Sequence, residues 1–376
     1  MKSQKNDTVI CRLKAVRTQK GLTQTQLAGR VGLKRQAIYD IEKGRYLPNT
    51  AVALKLARHL GCRVEDIFAE APSAEDRPVS LVDDGVFREG GSRLTVAKVR
   101  GDLVGYPLGS GISLNQGVSA ADGLLTGCKE RVQLLCNEEY LEKSALLLGC
   151  DPAFSLLSSH VLRTPGKAQV HWRFASSYRA LERLAAGQAH IAGIHLHNAG
   201  SPAESNAALA KRMLSGAEGR LIAFAAFEEG LMVASGNPHG IREVADLARE
   251  DVRIVNREPG AALRVLLDDF LKRAGVPAAA VSGYDHLVGS HLEGAQQVMF
   301  GMADAALGLR AVADSCGLGF VPIESVRCDL VIPADIFDHP AVSVVLNVLQ
   351  SRSFRDELAM LPGYETTCTG KVVAEV

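Results

Sequence analysis

The stretch from Gly21 to Gly44 constrains the fold most, because its apolar residues follow two helical repeats separated by a glycine. Apolar side chains recur at helical spacing before Gly32 (Leu22, Leu27, Ala28 and Val31) and after it (Ala37, Ile38 and Ile41). Thr23 precedes the first repeat as an N-cap, and Gly44 follows the second as a C-terminal cap. The pattern predicts two short helices joined by a tight turn around a small core.

Two helices that meet at a steep angle form a helix-turn-helix, whose second helix enters the DNA major groove. The string LTQxxLA…QAIxxIExG resembles the lambda-repressor-like (XRE) DNA-binding family over about residues 8–68. Further helices, predicted over Val9–Lys20 and after Asn49, complete an all-α domain over residues 1–68. The resemblance implies double-stranded DNA as a partner and a homodimer, because one recognition helix reads only about half a site. A three-helix packing unit that binds no DNA is the alternative.

The resemblance places four residues at the start of the third helix against base edges: Arg35, Gln36, Tyr39 and Asp40. Arginine can bond bidentately to guanine, and glutamine to adenine. Asp40 could accept from cytosine or pair with a neighbouring arginine. Three further side chains are better placed for phosphates: Gln24, Lys43 and Arg45. For the basic members of this surface (Lys34, Lys43 and Arg45), a simple solvated face is the alternative.

Charge is divided unevenly along the chain. Residues 1–68 carry 14 Lys and Arg against 5 Asp and Glu, a balance of +9, and the remainder carries 28 against 37, a balance of −9. A basic head on an acidic body is expected when only the head meets the phosphate backbone. The eight cysteines form no C-x-x-C pair, no apolar run is long enough to cross a membrane, and the first twenty residues are polar and basic. We therefore expect a cytoplasmic protein with no membrane partner.

Beyond the head, composition changes twice. Residues 69–93 are rich in Pro, Ser, Gly and acidic residues without periodicity, which predicts a linker. Two alternating runs, Leu94–Val99 and Leu103–Leu108, predict strands in a small β-containing connector over residues 94–143, to which no chemistry is assigned. From Ser144 strands and helices alternate, which predicts an α/β domain with parallel strands, in two lobes around a cleft.

Five strings in this last region resemble the type II periplasmic-binding-protein (PBP) superfamily: LERLAAGQAHIAGIHLHN, EEGLMVASGNPHGI, VRIVNREPGAALRVLLD, SHLEGAQQVMFGMADAALGL and CDLVIPADIFDHPAV…PGYETTCTGKV. They cover about residues 144–372. More narrowly, their order resembles the binding-protein-like domain that is fused to helix-turn-helix heads and related to molybdate- and tungstate-binding proteins. The expected fold is therefore multidomain, an all-α helix-turn-helix head plus a two-lobed α/β PBP-like domain over 144–376. Ligands of such folds lie at the carboxyl ends of strands, against helix N-termini.

Carried over by position, the predicted ligand-binding side chains are Asp151, Ser176, Ser177, His195, Asn256, Arg257, Arg264, Ser290 and His291. The two neighbouring serines could bind an oxyanion or simply cap a helix. The two arginines could neutralise an anion or face solvent. His195 and His197 share an H-x-H spacing that suggests a metal, but no further ligand pattern lies nearby. We expect His195 to line the cleft. We expect neither a metal nor a cofactor.

One loop departs from the family pattern. Where Gly-Ser-Gly-Thr-Arg is usual, this chain has Glu258-Pro-Gly-Ala-Ala-Leu-Arg264, without the hydroxyls that would contact a tetrahedral oxyanion. A small carboxylate or another small organic ligand therefore fits this loop about as well as molybdate. The predicted function is a transcriptional regulator whose PBP-like domain senses a small anion, and not an enzyme. The alternatives are an α/β enzyme with an attached DNA-binding domain, or a DNA-bound scaffold whose sensor no longer binds.

Overall fold

The computed structural model describes residues 9–70, 76–82, 92–108, 119–126, 130–196 and 202–376. Contacts divide the chain into two compact units. The second unit contains Val96–Val104 and Asn137–Val376, and the first contains most of the described chain before Asn137. No helix in these ranges is both long and apolar enough to cross a membrane.

The first unit begins with five helices: α1 (Leu13–Gln19), α2 (Gln24–Val31), α3 (Arg35–Glu42), α4 (Thr50–Leu60) and α5 (Val64–Ile67). β1 (Val9–Cys11) pairs antiparallel with β2 (Phe68–Glu70) and so joins the two ends of this helical domain. The expectation that the first helix begins at Val9 is wrong, because the strand pairing takes the first three of those residues. The helix-turn-helix itself is confirmed.

Local sequence explains where these helices end. Thr23 and Gln26 form a capping box at the start of α2, in which Thr23 Oγ1 accepts from the Gln26 N–H at 3.2 Å. Gly32, with φ of 74°, ends α2 in the left-handed conformation that glycine adopts most readily. Except for Ala37, the residues of the two apolar stripes pack into one core with Leu13, Leu56 and Ile67.

A six-stranded sheet follows, in the order β3-β8-β7-β5-β6-β4. Its strands are β3 (Arg77–Pro78), β4 (Ser80–Leu81), β5 (Arg93–Val99), β6 (Asp102–Leu108), β7 (Gly123–Leu125) and β8 (Arg131–Leu134). The predicted hairpin of β5 and β6 is confirmed. The linker prediction is wrong over 77–82, because these residues supply two strands and bury Val79 and Val82.

The second unit is built on a ten-stranded sheet in the order β10-β9-β11-β16-β12-β15-β13-β14, with β17 and β18 both paired to β12. The strands are β9 (Ser144–Leu148), β10 (Gln169–Arg173), β11 (Ile191–Ile194), β12 (Gly219–Val233), β13 (Ile254–Arg257), β14 (Leu287–Val288), β15 (Ala305–Leu309), β16 (Gly319–Pro333), β17 (Tyr364–Glu365) and β18 (Val372–Glu375). The helices are α6 (Glu138–Glu142), α7 (Phe154–Arg163), α8 (Ser177–Ala185), α9 (Pro202–Leu214), α10 (Ala262–Arg273), α11 (His291–Met299), α12 (Arg310–Ser315), α13 (Pro340–Gln350) and α14 (Arg352–Ala359).

The alternation of strands and helices predicted a sheet of parallel strands, but the observed sheet is mixed. β9, β10 and β11 run parallel, as do β13, β14 and β15, but β12 and β16 are antiparallel to each other and to their outer neighbours. These two 15-residue strands pair from Gly219 with Pro333 to Val233 with Gly319, with register shifts at Ala223/Ala225 and Glu229/Gly230. One long ribbon therefore carries both parallel-stranded lobes.

Candidate DNA-binding surface and ligand cavity

The residues predicted to face bases lie together on α3. Arg35 and Gln36 are exposed in its first turn, and Tyr39 and Asp40 are half-buried one turn later. Asp40 Oδ1 accepts from Gln36 Nε2 at 3.1 Å and from Arg45 Nη1 at 2.7 Å. The Arg45 guanidinium also lies 5.2 Å from the centre of the Tyr39 ring. In the free protein, Asp40 thus pairs with a neighbouring arginine, which is one of the two roles expected for it.

The three remaining predicted residues of the DNA-binding surface divide into two kinds. Lys34 and Lys43 are exposed at the two ends of α3. Gln24 instead donates from Nε2 to Glu42 Oε2 at 2.8 Å, and the same carboxylate accepts from Arg17 Nε at 2.5 Å. Because this side chain ties α2 to α3, Gln24 has a structural contact in addition to its predicted role at a phosphate.

Five predicted ligand residues line one small cavity in the second unit: Ser176, Ser177, His195, Arg257 and His291. Cys150 and residues 261–263, which are sequence neighbours of the predicted residues Asp151 and Arg264, complete its wall. Each wall segment follows the carboxyl end of a parallel strand: Cys150 after β9, Ser176 after β10, His195 after β11, Arg257 at the end of β13 and His291 after β14. This is where open α/β sheets bind ligands.

Three helices begin at the cavity. Ser176 and Ser177 form the start of α8, Ala261 and Ala262 the start of α10, and His291 is the first residue of α11. The first N–H groups of a helix have no partner within it, and each N-terminus carries about half a positive charge. The Ser177 hydroxyl is not available as a ligand donor, because it donates to the His195 carbonyl at 2.8 Å.

The two predicted arginines differ in position. Arg257 lines the cavity with 4% of its surface exposed, and its guanidinium donates to both Glu258 oxygens, at 3.0 and 3.1 Å, and to the Gly289 carbonyl at 3.2 Å. Arg264 is outside the cavity wall: it donates to Asp268 at 3.1 Å and its guanidinium stacks 4.0 Å from the centre of the Tyr284 ring. Of the two arginines, Arg257 is therefore the one that brings positive charge to the cavity.

The other three predicted ligand residues hold the surrounding backbone. Asn256 donates to the Tyr284 carbonyl at 3.0 Å, and Ser290 caps α11 by accepting from the Glu293 N–H at 3.1 Å. Asp151 accepts from the Tyr364 hydroxyl at 2.5 Å and from the Ala153 N–H at 2.8 Å. Burial raises the pKa of Asp151 to about 6, although these hydrogen bonds act in the opposite direction.

A buried polar cluster lies behind the cavity wall, and the sequence did not indicate it. Cys150 Sγ is 3.4 Å from His195 Nδ1, and His195 Nε2 is 3.1 Å from Oε1 of the fully buried Glu229 on β12. Burial acts to lower the pKa of His195, but Cys150, Cys328 and Glu229 outweigh it and raise this pKa well above its ordinary value. The signal that could have found Glu229 is the pair of glutamates inside the apolar run FAAFEEGLMV.

His291 is the other unusual side chain of the cavity. It is 4% exposed, and neither of its ring nitrogens has a hydrogen-bond partner in the described protein. Burial, with the nearby charges of Arg257 and His195, lowers the pKa of His291 well below its ordinary value, so the ring is neutral at pH 7. His197, the other member of the H-x-H pair, lies outside the described residues, and those that are described contain no group of three side chains arranged to hold a metal.

A helix-turn-helix domain followed by a two-lobed domain with a cavity at its strand ends defines a DNA-binding regulator fused to a PBP-like ligand-binding domain. Residues 158–350 match the PBP superfamily domain, and residues 13–67 match a helix-turn-helix family. Since the first match covers half of the chain, the protein belongs to the PBP superfamily, with an XRE-type helix-turn-helix domain at its N-terminus.

Relatives cover both parts. The uncharacterized protein YvgK of Bacillus subtilis is 34% identical over 232 residues, which are 62% of this chain and 74% of YvgK. An uncharacterized HTH-type transcriptional regulator of Methanothermobacter thermautotrophicus is 53% identical over 53 residues, 14% of this chain and 77% of that protein. Among solved structures, the sulfate-binding protein SubI of Mycobacterium tuberculosis aligns with a TM-score of 0.44 at 14% identity, over 59% of this chain and 86% of SubI.

Proposed function

We propose that this protein is a cytoplasmic, ligand-responsive transcriptional regulator: its helix-turn-helix domain binds double-stranded DNA as a homodimer, and the cavity of its PBP-like domain binds a small anion. It acts by binding and not as an enzyme. Closure of the two lobes around the anion would reposition the attached DNA-binding domain.

The convergence of three helix N-termini on one cavity carries this proposal. Glu258 neutralises much of the charge of Arg257, so the net attraction for an anion comes mainly from the starts of α8, α10 and α11. The neutral His291 ring adds one N–H donor that bonds to nothing in the described part of the chain. The side chains of Ala261, Ala262 and Leu263 add no hydroxyl, so the contacts on that wall are backbone contacts, which suit a carboxylate as well as a tetrahedral oxyanion.

Ala262 offers a sharp test, because its partly exposed side chain lines the cavity at the first position of α10. Ala262→Asp places a negative charge in the anion site, whereas Ala262→Asn adds the same bulk without charge. An aspartate in the first turn of a helix is otherwise favourable. We expect the asparagine variant to retain part of the anion binding and the aspartate variant to lose it, with both folded.

Thermal unfolding of the full chain measures the effect in the presence of molybdate, tungstate, sulfate, phosphate, acetate and other small carboxylates. A ligand at about 100 times its Kd adds about 2.7 kcal/mol to the free energy of unfolding. Stabilisation of the wild type by tetrahedral ions alone, or by carboxylates alone, identifies the class. If none of these ions stabilises the wild type, the proposal is wrong and the non-binding scaffold is favoured; equal binding by the two variants contradicts the location of the site.

A further inference from the structure

Cys150 lies next to an ionisable pair, His195 and Glu229, which a cysteine with a purely structural role does not require. Its Sγ faces His195 Nδ1 at 3.4 Å, and the opposite nitrogen of that ring is 3.1 Å from the Glu229 carboxylate. The three groups thus stand in the order thiol, imidazole, carboxylate, which is the arrangement of a nucleophile, its base and the group that orients the base. Cys150 also lines the ligand cavity, so the thiol can be reached from it.

The carboxylate is one of the groups that favour the charged form of the histidine. Glu229 is fully buried and, within the described chain, neither of its oxygens makes a hydrogen bond, so the 3.1 Å approach of His195 is the polar contact that the structure shows for it. A buried carboxylate in this position favours the imidazolium form of His195. The ring nitrogen of His195 lies 3.4 Å from the Cys150 sulfur, close enough to exchange a proton with it, and the thiolate is the reactive form of cysteine.

A second, independent observation marks the space in front of the thiol as a binding place. His291 lines the same cavity, is buried, and presents two ring nitrogens that bond to nothing in the described protein. Buried polar atoms are normally satisfied, so an unsatisfied imidazole at a cavity wall indicates a small polar molecule that bonds to it. The cavity is small, which restricts that molecule to a few heavy atoms near the thiol.

We propose that Cys150 is a modification site, whose sulfur reacts in its thiolate form with hydrogen peroxide or a small alkyl hydroperoxide admitted to this cavity. The sulfur attacks one peroxide oxygen, so that an S–O bond forms as the O–O bond breaks. The leaving oxygen takes the Nδ1 proton of His195 and departs as water or alcohol, and the residue becomes a sulfenic acid. The sulfur is oxidised by two electrons and the peroxide is reduced by the same two; Glu229 acts as a positioning residue for His195.

The same geometry connects oxidation to the ligand. The added oxygen occupies the cavity, and an anion already bound there blocks the approach of peroxide to the sulfur. Oxidation of Cys150 and anion binding therefore exclude one another. The reactivity of Cys150 does not depend on the proposed anion function, since it can be measured with no anion present.

The full-length, reduced protein provides its own control, because Cys368 is exposed and Cys150 is not. Hydrogen peroxide is added in the presence of dimedone, which traps sulfenic acids, and peptide mass spectrometry follows both cysteines with time. We expect Cys150 to be labelled at least tenfold faster than Cys368 despite its burial. Labelling of Cys150 at the rate of Cys368 or slower overturns the proposal, and this comparison needs no variant.

A matched pair of histidine variants tests the mechanism. His195→Gln removes the proton donor, whereas His190→Gln alters another buried histidine whose ring bonds to Leu146 and Lys98. We expect the first to slow labelling of Cys150 at least tenfold and the second to leave it unchanged. Equal rates in the two variants would contradict the role of His195. Failure of every ion in the anion screen, with fast labelling of Cys150, would reject the anion function and leave this inference standing.

Discussion

Arg35 is the first residue of α3, and its side chain is exposed beside Gln36. At this position an arginine can donate bidentately to a guanine in the major groove. We expect Arg35→Ala to weaken binding to a cognate duplex by about 1–3 kcal/mol and to relax the sequence preference at one base pair. Fluorescence anisotropy with a set of duplexes, each changed at one position, measures both effects.

Lys43 supplies the control for that experiment. It is exposed at the other end of α3, where a phosphate contact is the expected role. Lys43→Ala should weaken binding about equally on all of the duplexes and reduce the slope of log affinity against log salt by about 1. If the preference of Arg35→Ala is unchanged at every position, Arg35 contacts phosphate or nothing, and the assignment of base readers on α3 must change.

Residues whose roles are local could be predicted from the sequence, and residues whose roles are not local could not. The capping residue Thr23 and the turn residue Gly32 act on backbone within a few positions, so the start and the end of α2 could be predicted from them. The contacts among Cys150, His195 and Glu229 join residues that follow β9 and β11 with a residue inside β12. For Arg264 the resemblance in the loop suggests a ligand cation, which stays a prediction, and the structure adds a partner that the resemblance did not suggest, Asp268, one helical turn away.

At the scale of elements, the antiparallel ribbon of β12 and β16 is the feature that the sequence did not predict. The alternation predicted from Ser144 onward does not reveal a 15-residue strand such as β12, because the pattern along one strand does not identify the strand that pairs with it. That partner is β16, about a hundred residues later, and its antiparallel pairing makes the sheet mixed. The outer strands alternate with helices and were predicted well, since a parallel crossover has a strong local pattern.

The hairpin of β5 and β6 is tied to β9 through His190, and this contact predicts a pH dependence. His190 Nδ1 accepts from the Leu146 N–H at 3.0 Å, and Nε2 donates to the Lys98 carbonyl at 3.1 Å, so the ring is bound as the neutral form. Burial, with the nearby His339, lowers the pKa of His190 from 6.5 to about 3. The folded state thus binds fewer protons than the unfolded state, and stability present above pH 6.5 is lost as the pH falls toward 3.

At pH 5 this one group should cost about 2 kcal/mol of the free energy of unfolding, relative to pH 7. Trp172, the single tryptophan of the chain, lies in the same unit and reports its unfolding in urea. His190→Gln can keep both hydrogen bonds without a titrating ring, and we expect it to lose about 2 kcal/mol less than the wild type between the two pH values. Parallel losses in the two proteins would exclude His190 as the source.

At the scale of the whole molecule, the zero net charge is the sum of opposite charges on two separate parts of the chain. The first 68 residues carry +9 and the rest carries −9, so an isoelectric point near neutrality says nothing about affinity for DNA. Only the basic head is suited to displace the counterions of a duplex, and the acidic remainder opposes non-specific attachment of the ligand-binding domain. The separation suits a protein whose second part answers to a small anion while the first part is held on DNA.

The homodimer is a prediction about the whole molecule, because one α3 reads only half of a site. Selection from a randomised duplex library with the full-length protein should therefore recover inverted repeats, with half-site centres about 10–10.5 base pairs apart or a multiple of this spacing. Sedimentation on a recovered duplex should show two copies per duplex, and scrambling one half-site should lower the affinity sharply. The Arg35→Ala variant should lose its preference at the same base in both halves, since the two copies are identical. A single unrepeated motif bound by one copy would contradict the dimer and would require the one head to supply all of the specificity.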